Sequence, residues 1–174
     1  MKLNVGCGLD IRTGWVNLDS HPLPGVDVVH DVTTAPWPFD ENSFDEILCQ
    51  NVLEHVDYPK VLREIHRVLK PGGKVFATVP HFTSPYAYAD PTHIRYFALG
   101  VFHFFTKSSE RPYYFDFEFD RIDRLYLEFP KRKLLFFNYL VEKLVNFNNV
   151  TLGLYEIGPL RLFPAATIYV TLVK

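Results

Sequence analysis

The strongest constraint on this chain is the spacing of its first four apolar runs, each closed by a glycine or a polar residue: Leu3-Asn4-Val5 before Gly6-Cys7-Gly8, Val16-Asn17-Leu18 before Asp19, Val26 to Asp31, and Phe44 to Cys49. Short apolar runs of this kind read as buried parallel strands, and strands that end in glycine or an acid place backbone and carboxylate where a ligand crosses the carboxyl edge of a sheet. A glycine at such an end tolerates positive φ and lets a ligand approach the backbone closely. Only ten residues, Leu9 to Leu18, separate the glycine turn from Asp19, and half of these are strand-like. A crossover with a helix needs at least about 10 to 12 residues, so the first helix is expected to be vestigial or absent. Pro36, Pro38 and Asp40-Glu41-Asn42-Ser43 leave little room for a helix before the fourth run.

From Tyr58 the period changes. Val61, Leu62, Ile65, Val68 and Leu69 fall on one face of a helix, with Lys60, Arg63, Glu64 and Arg67 outside it, and Pro71-Gly72-Gly73 is read as its stop. Lys74 to Val79 follows as a fifth strand, Ile122 to Phe129 as a sixth and Ala166 to Val173 as a seventh. Residues 82 to 119 form a long aromatic insertion with one short helix expected near Ala98 to Phe105. Leu134 to Phe147 is apolar except for Asn138, Glu142, Lys143 and Asn146. A helix this apolar is expected to be sandwiched in the core or a subunit contact, the alternative being a membrane-surface helix preceded by Lys131-Arg132-Lys133.

At 174 residues the chain has room for one domain. A net charge of −2 with scattered basic residues gives no footprint for a nucleic-acid backbone. No apolar run reaches the length of a membrane span and no leader pattern is present, so the expected setting is cytoplasmic. Cys7 and Cys49 are expected as free thiols, because two cysteines outside any metal-ligand spacing make no disulfide framework. Aromatic residues are 16% of the chain and concentrate after residue 81, where they are expected to shape a pocket.

With these residues in place the chain resembles the class I S-adenosylmethionine-dependent methyltransferases. The resemblance runs over residues 2 to 80, on Leu3-Asn4-Val5-Gly6-Cys7-Gly8, Val16-Asn17-Leu18-Asp19, Phe44-Asp45-Glu46-Ile47 with Val52-Leu53-Glu54-His55-Val56, and Leu62-Arg63-Glu64-Ile65-His66-Arg67-Val68-Leu69-Lys70-Pro71-Gly72-Gly73. Beyond Pro80, Asp90-Pro91-Thr92-His93 looks like a segment recurring in small methyltransferases of this type. The resemblance implies an α/β fold with a Rossmann-like seven-stranded sheet, mostly parallel with an antiparallel last strand. It implies one domain over 1–174, with residues 1–80 holding the cofactor and 81–174 facing the acceptor. By position, Gly6, Cys7 and Gly8 would lie along the methionine part of S-adenosylmethionine, Asp19 would accept from the ribose hydroxyls, Asp31 would read the adenine amino group, and Asn51 would complete the cofactor set. Members of the family usually carry an acid where this chain has Asn4.

The activity implied is methyl transfer to a small acceptor, with a cofactor-binding regulatory or partner subunit as the alternative and a homo-oligomer allowed by either. A nicotinamide enzyme is disfavoured, because its fingerprint needs a glycine at Ile11 or Arg12. On the acceptor side, His93 is the candidate general base, with Asp90 placed to orient it. His55 and His66 are expected to pack or cap, and His30, His81, His93 and His103 have no compact metal-ligand spacing, so no metal is expected.

Overall fold

The computed structural model describes residues 1–174 apart from the side chain of Lys133. Strand β1 (Lys2–Val5) lies inside a seven-stranded sheet whose order is β3-β2-β1-β4-β5-β7-β6. It pairs in parallel with β2 (Val16–Asp19) on one side and β4 (Phe44–Gln50) on the other, so that Leu3 stands between Val16 and Ile47. β3 is regular only over Val28–Val29, yet the ladder reaches further, because Asp27 N–H donates to Asn17 O and His30 N–H to Asp19 O. The last strand, β7 (Thr167–Val173), is antiparallel to both β5 (Leu69–Pro80) and β6 (Arg121–Glu128), as the resemblance implies.

Among the described residues no helix joins β1 to β2. Side-chain amides hold this short crossover instead. Asn4 Nδ2 donates to the Asp10 carbonyl at 2.7 Å and to Asn17 Oδ1 at 3.2 Å. Asn17 Oδ1 also accepts Arg12 N–H, and the amide of Asn17 donates to the Arg12 and Trp15 carbonyls and to Asp27. Asn4 and Asn17 are each 3% exposed, and their bonds to the Asp10, Arg12 and Trp15 backbone groups serve the crossover where a helix would have bonded its own main chain. The loop before β4 is closed comparably, by buried Trp37, whose N–H donates to Glu64, and by Arg67, which donates to Glu64 and to the Trp37 and Phe39 carbonyls.

Helix α1 (Tyr58–Val68) buries Val61, Leu62, Ile65 and Val68, and it ends before Pro71-Gly72-Gly73 rather than at it. Leu69 is already the first residue of β5, paired with Phe44. The Lys174 ammonium donates to the His66 and Leu69 carbonyls at 2.7 and 2.8 Å, satisfying acceptors that the helix end leaves free. Pro71 excludes helical backbone at Lys70, and the glycines lie inside the strand, Gly72 at φ +78°.

The segment between β5 and β6 holds α2 (Tyr86–Ala89) and two 3-10 helices, Leu99–Phe105 and Pro112–Tyr114. Its rings divide between core and surface: Phe97, Phe102, Phe105 and Phe119 are buried and Phe105 stacks on Phe115 at 4.4 Å, while Tyr86, Tyr88, Tyr96, Tyr113 and Tyr114 are exposed.

The expectation of one helix over 134–147 sandwiched in the core is corrected, whereas a subunit contact or a membrane surface would involve its outward face. Helix α3 spans Asn138–Val145, α4 spans Asn149–Ile157, and the polar stripe of α3 faces inward. Asn138 donates to the Pro130 carbonyl, Glu142 accepts from the Tyr126 hydroxyl, the Phe129 N–H and Lys131, and Asn146 both accepts Leu127 N–H and donates to Leu127 O. β6 is an edge strand, so its outer backbone groups need partners more than its helix needs an apolar contact. The apolar side of the segment therefore faces outward, with Phe136 73% and Phe147 79% exposed.

Burial raises the pKa of Glu142, but Lys131, Tyr126 and Phe129 outweigh it and hold the carboxyl below its usual range. A depressed folded pKa contributes stability above the unfolded pKa that is lost as pH falls through the folded value. Glu142→Gln is expected to cost about 1–3 kcal/mol at pH 7, with the gap to the parent closing in acid below about pH 4. Urea denaturation across pH measures both; a gap that does not change with pH would remove the ionised carboxylate from the account.

Candidate functional site

The turn after β1 is set by two glycines at positive φ, Gly6 at +62° and Gly8 at +49°. They differ in what surrounds them. A Cβ on Gly6 would lie 2.5 Å from Val52 Cγ2, whereas one on Gly8 would meet nothing within 4 Å. Cys7 between them is buried and donates its N–H to the Leu18 carbonyl, which ties the turn to β2. Burial and the nearby Asp19 charge raise the Cys7 thiol pKa, and burial raises that of Cys49, which pairs opposite Val5; both cysteines are free.

Asp19 closes the turn from the other side. One carboxylate oxygen accepts Gly8 N–H at 2.8 Å and the other accepts His21 N–H at 2.9 Å. Burial would raise its pKa, but the His21 and Gly8 N–H groups prevail and keep it lowered, so the group is an anion with lone pairs to spare. Asp31 is exposed and accepts from the backbone and hydroxyl of Thr33, which lower its pKa. Asn51 follows β4 with φ +52°, its N–H bonded to the Thr78 carbonyl. Gly6, Cys7, Gly8, Asp19, Asp31 and Asn51 thus stand at the carboxyl ends of four adjacent parallel strands. Asn4 sits further back on β1, where its side-chain NH2 donates to the Asp10 carbonyl and to Asn17 Oδ1.

Beside Asn51 opens a cleft of about 570 Å³ lined by Glu54, His55, Pro80, Tyr86, Asp90 and His93 among others. Tyr86 is its one large aromatic side chain, so the expectation that rings shape the pocket holds only there. The 3-10 turn Leu53–His55 is locked to the loop after α2, because the Glu54 carbonyl accepts both Ile94 and Arg95 N–H. The His55 and His93 rings meet edge-on, centroids 4.6 Å apart. Asp90 Oδ1 accepts the N–H and hydroxyl of Thr92, and its Oδ2 lies 4.0 Å from His93 Nε2, beyond hydrogen-bond length. The orienting role expected of Asp90 is therefore filled by the Ala87 carbonyl, which accepts from His93 Nδ1 at 3.0 Å.

Glu54 is the residue that the sequence reading passed over. It is 1% exposed, and among the described residues neither carboxylate oxygen has a hydrogen-bond partner. Burial pushes its pKa up to about 7. The signal available in the sequence was an acid beside a histidine directly after a strand, which capping explains equally well. A further buried cluster supports the cleft wall: His81 contacts Thr83 and Glu156, and Glu156 also accepts Leu99 N–H.

Residues 3–77 match the family model of the methyltransferase domain. A demethylmenaquinone methyltransferase of Listeria welshimeri is 38% identical over 66 residues, 37% of this chain and 28% of that protein; the chain therefore spans well under half the length of this relative. The whole fold is similar to a SAM-dependent methyltransferase from Archaeoglobus fulgidus, with TM-score 0.65 and 16% identity over 99% of this chain and 85% of the other. It is also similar to phosphoethanolamine N-methyltransferase 2 of Haemonchus contortus in complex with S-adenosyl-L-methionine, with TM-score 0.59 and 20% identity over 99% of this chain and 48% of that one. Among the described residues no helix is long and apolar enough to cross a membrane.

The two turn glycines are expected to respond differently to a methyl group. Gly8→Ala should cost about 1–2 kcal/mol from left-handed backbone alone. Gly6→Ala should cost more, and Val52→Ala in the same chain should recover the excess but not the backbone part. Thermal denaturation of the three variants checks the ordering; equal losses for Gly6→Ala and Gly8→Ala would show that Val52 yields without cost.

Proposed function

We propose that this chain, which carries a class I S-adenosylmethionine-dependent methyltransferase domain, moves the methyl group of that cofactor to a small acceptor held in the cleft between Asn51 and His93. The observation that carries this is the juxtaposition of a positive-φ glycine turn, an ionised Asp19 at the next strand end, and a separate cleft beginning one strand further along. In this reading the whole chain acts as one domain, with residues 1–80 on the cofactor and 81–174 on the acceptor. Gly6, Cys7 and Gly8 offer close-approaching backbone to the methionine part, Asp19 takes the ribose hydroxyls on its remaining lone pairs, Asp31 takes the adenine amino group, and Asn51 lies between cofactor and acceptor.

The reaction is an in-line displacement at a sulfonium carbon, so holding nucleophile and methyl in line supplies much of the rate and no covalent intermediate with the protein is needed. His93 works on the acceptor through Nε2, and Asp90 shapes the turn that presents it. The amide at Asn4, which stands where members of the family usually carry an acid and has its NH2 committed to Asp10 and Asn17, favours a second reading, in which the domain binds cofactor without turnover.

Calorimetry with S-adenosylhomocysteine tests the binding half, with NAD as the control that should give no heat. Asp19→Ala is expected to weaken binding by about 30- to 1,000-fold, the loss of two charge-assisted hydrogen bonds. Transfer of labelled methyl from S-adenosylmethionine into the small-molecule fraction of a cell extract tests the catalytic half. Binding without any transfer would favour the second reading; no binding by folded protein would end both.

A further inference from the structure

The tautomers of the two cleft histidines are fixed by their partners. A carbonyl can only accept, so the contact of His93 Nδ1 with Ala87 O puts the proton on Nδ1. The Thr92 hydroxyl donates to Asp90 Oδ1 and so must accept from His55 Nδ1, which puts the proton of His55 on Nδ1 as well. Both rings are left with a lone pair on Nε2. Next to them lies Glu54, a buried carboxylate without a hydrogen-bond donor on either oxygen. Ligand atoms of Glu54, His55 and His93 all lie within 4.8 Å of one another.

An uncompensated buried carboxylate is costly, and two neighbouring lone pairs that only accept do nothing to relieve it. A cation relieves all three at once. Each imidazole has the second partner that metal-bound histidines carry, Thr92 backed by Asp90 for His55 and the Ala87 carbonyl for His93. The loops that bring the three together are fixed by the two hydrogen bonds that Ile94 and Arg95 N–H donate to the Glu54 carbonyl.

We propose that Glu54, His55 and His93 form a binding site for a divalent first-row transition cation in the acceptor cleft. Two imidazole nitrogens and one carboxylate suit zinc, cobalt or iron(II) better than magnesium or calcium, which prefer all-oxygen shells. Three protein ligands leave positions open toward the cleft, as at sites that take substrate.

The acceptor class follows if methyl transfer is the activity, a clause that rests on the function proposed above. An acceptor hydroxyl or phenol bound to the cation loses its proton to water more readily. Its oxygen lone pair then forms the new carbon–oxygen bond while the carbon–sulfur bond breaks, its electron pair staying on sulfur. His93 Nε2 in this arrangement acts on the acceptor through the cation it holds.

The test is titration of chelator-treated full-length protein with Co²⁺, followed by visible absorption, with Zn²⁺ added to displace the colour. One equivalent is expected to bind. Glu54→Gln, which keeps size and shape, and His93→Gln should each weaken binding at least 10-fold, while His103→Ala should not. Thr92→Val leaves all three ligands in place but removes the hydroxyl bonded to His55 Nδ1, and it is expected to weaken binding about 10- to 100-fold by freeing the His55 ring. It decides the matter should either ligand variant fail to fold by circular dichroism. The proposal is overturned if folded parent protein shows no stoichiometric uptake, or if the folded ligand variants and Thr92→Val bind Co²⁺ as tightly as the parent. S-adenosylhomocysteine binding is measured on the same metal-free sample: cofactor binding without Co²⁺ uptake ends the cation site alone, and Co²⁺ uptake without cofactor binding ends the methyltransferase reading alone.

Discussion

Asn17 is the interaction on which the cofactor-side geometry depends. Its side chain accepts from Arg12 and Asn4 and donates to Arg12, Trp15 and Asp27, while its own N–H donates to Asp27 as well. One buried amide therefore fixes the crossover between β1 and β2, the approach to β3 and the position of Asn4. A helix in this place would satisfy its own backbone and could be packed by shape alone. Ten residues are too few for that, so the backbone is satisfied from outside, through polar side chains whose geometry tolerates little error. The glycine turn leaves from one end of this crossover and Asp19 stands at the other, which is why the distance between them is defined at all.

The same economy explains what is legible in the sequence. The strands, the missing helix and the antiparallel final pairing follow from run lengths, spacing and resemblance. The alignment of Gly6, Asp19, Asp31 and Asn51 along one edge follows from parallel order. Asn4 is legible only as a departure from a family pattern; that its amide holds Asp10 and Asn17 depends on a loop path no periodicity encodes. The 134–147 segment misleads for a different reason. Its period correctly marks a polar stripe, but a stripe says nothing about which side faces the protein, and an edge strand in need of partners outweighs the usual preference for burying leucine.

The cleft is the least legible part. Glu54 and His93 are separated by almost forty residues, and each has an innocent local explanation, one as part of a short turn after β4, the other as the end of a proline turn. What makes them a unit is the carbonyl of Glu54, which holds Ile94 and Arg95 and so clasps the two turns face to face. Backbone carbonyls carry no sequence signature. The aromatic richness of the second half points the wrong way, since its rings go to the core or to the outer surface and, Tyr86 apart, leave the cleft wall to histidine, proline and carboxylate.

At the outer edge of the sheet, Asn146 offers Leu127 a carbonyl and an amide together, the pair a neighbouring strand would present. A side chain is thus impersonating a peptide unit, and Glu142 adds a second occupied place at Phe129. Sheet edges are templates on which further strands can grow, within an assembly or into an aggregate. Here the template is already copied at Leu127, by a residue that cannot itself be extended, so a strand adding at this end of the edge would first have to displace the chain's own helix.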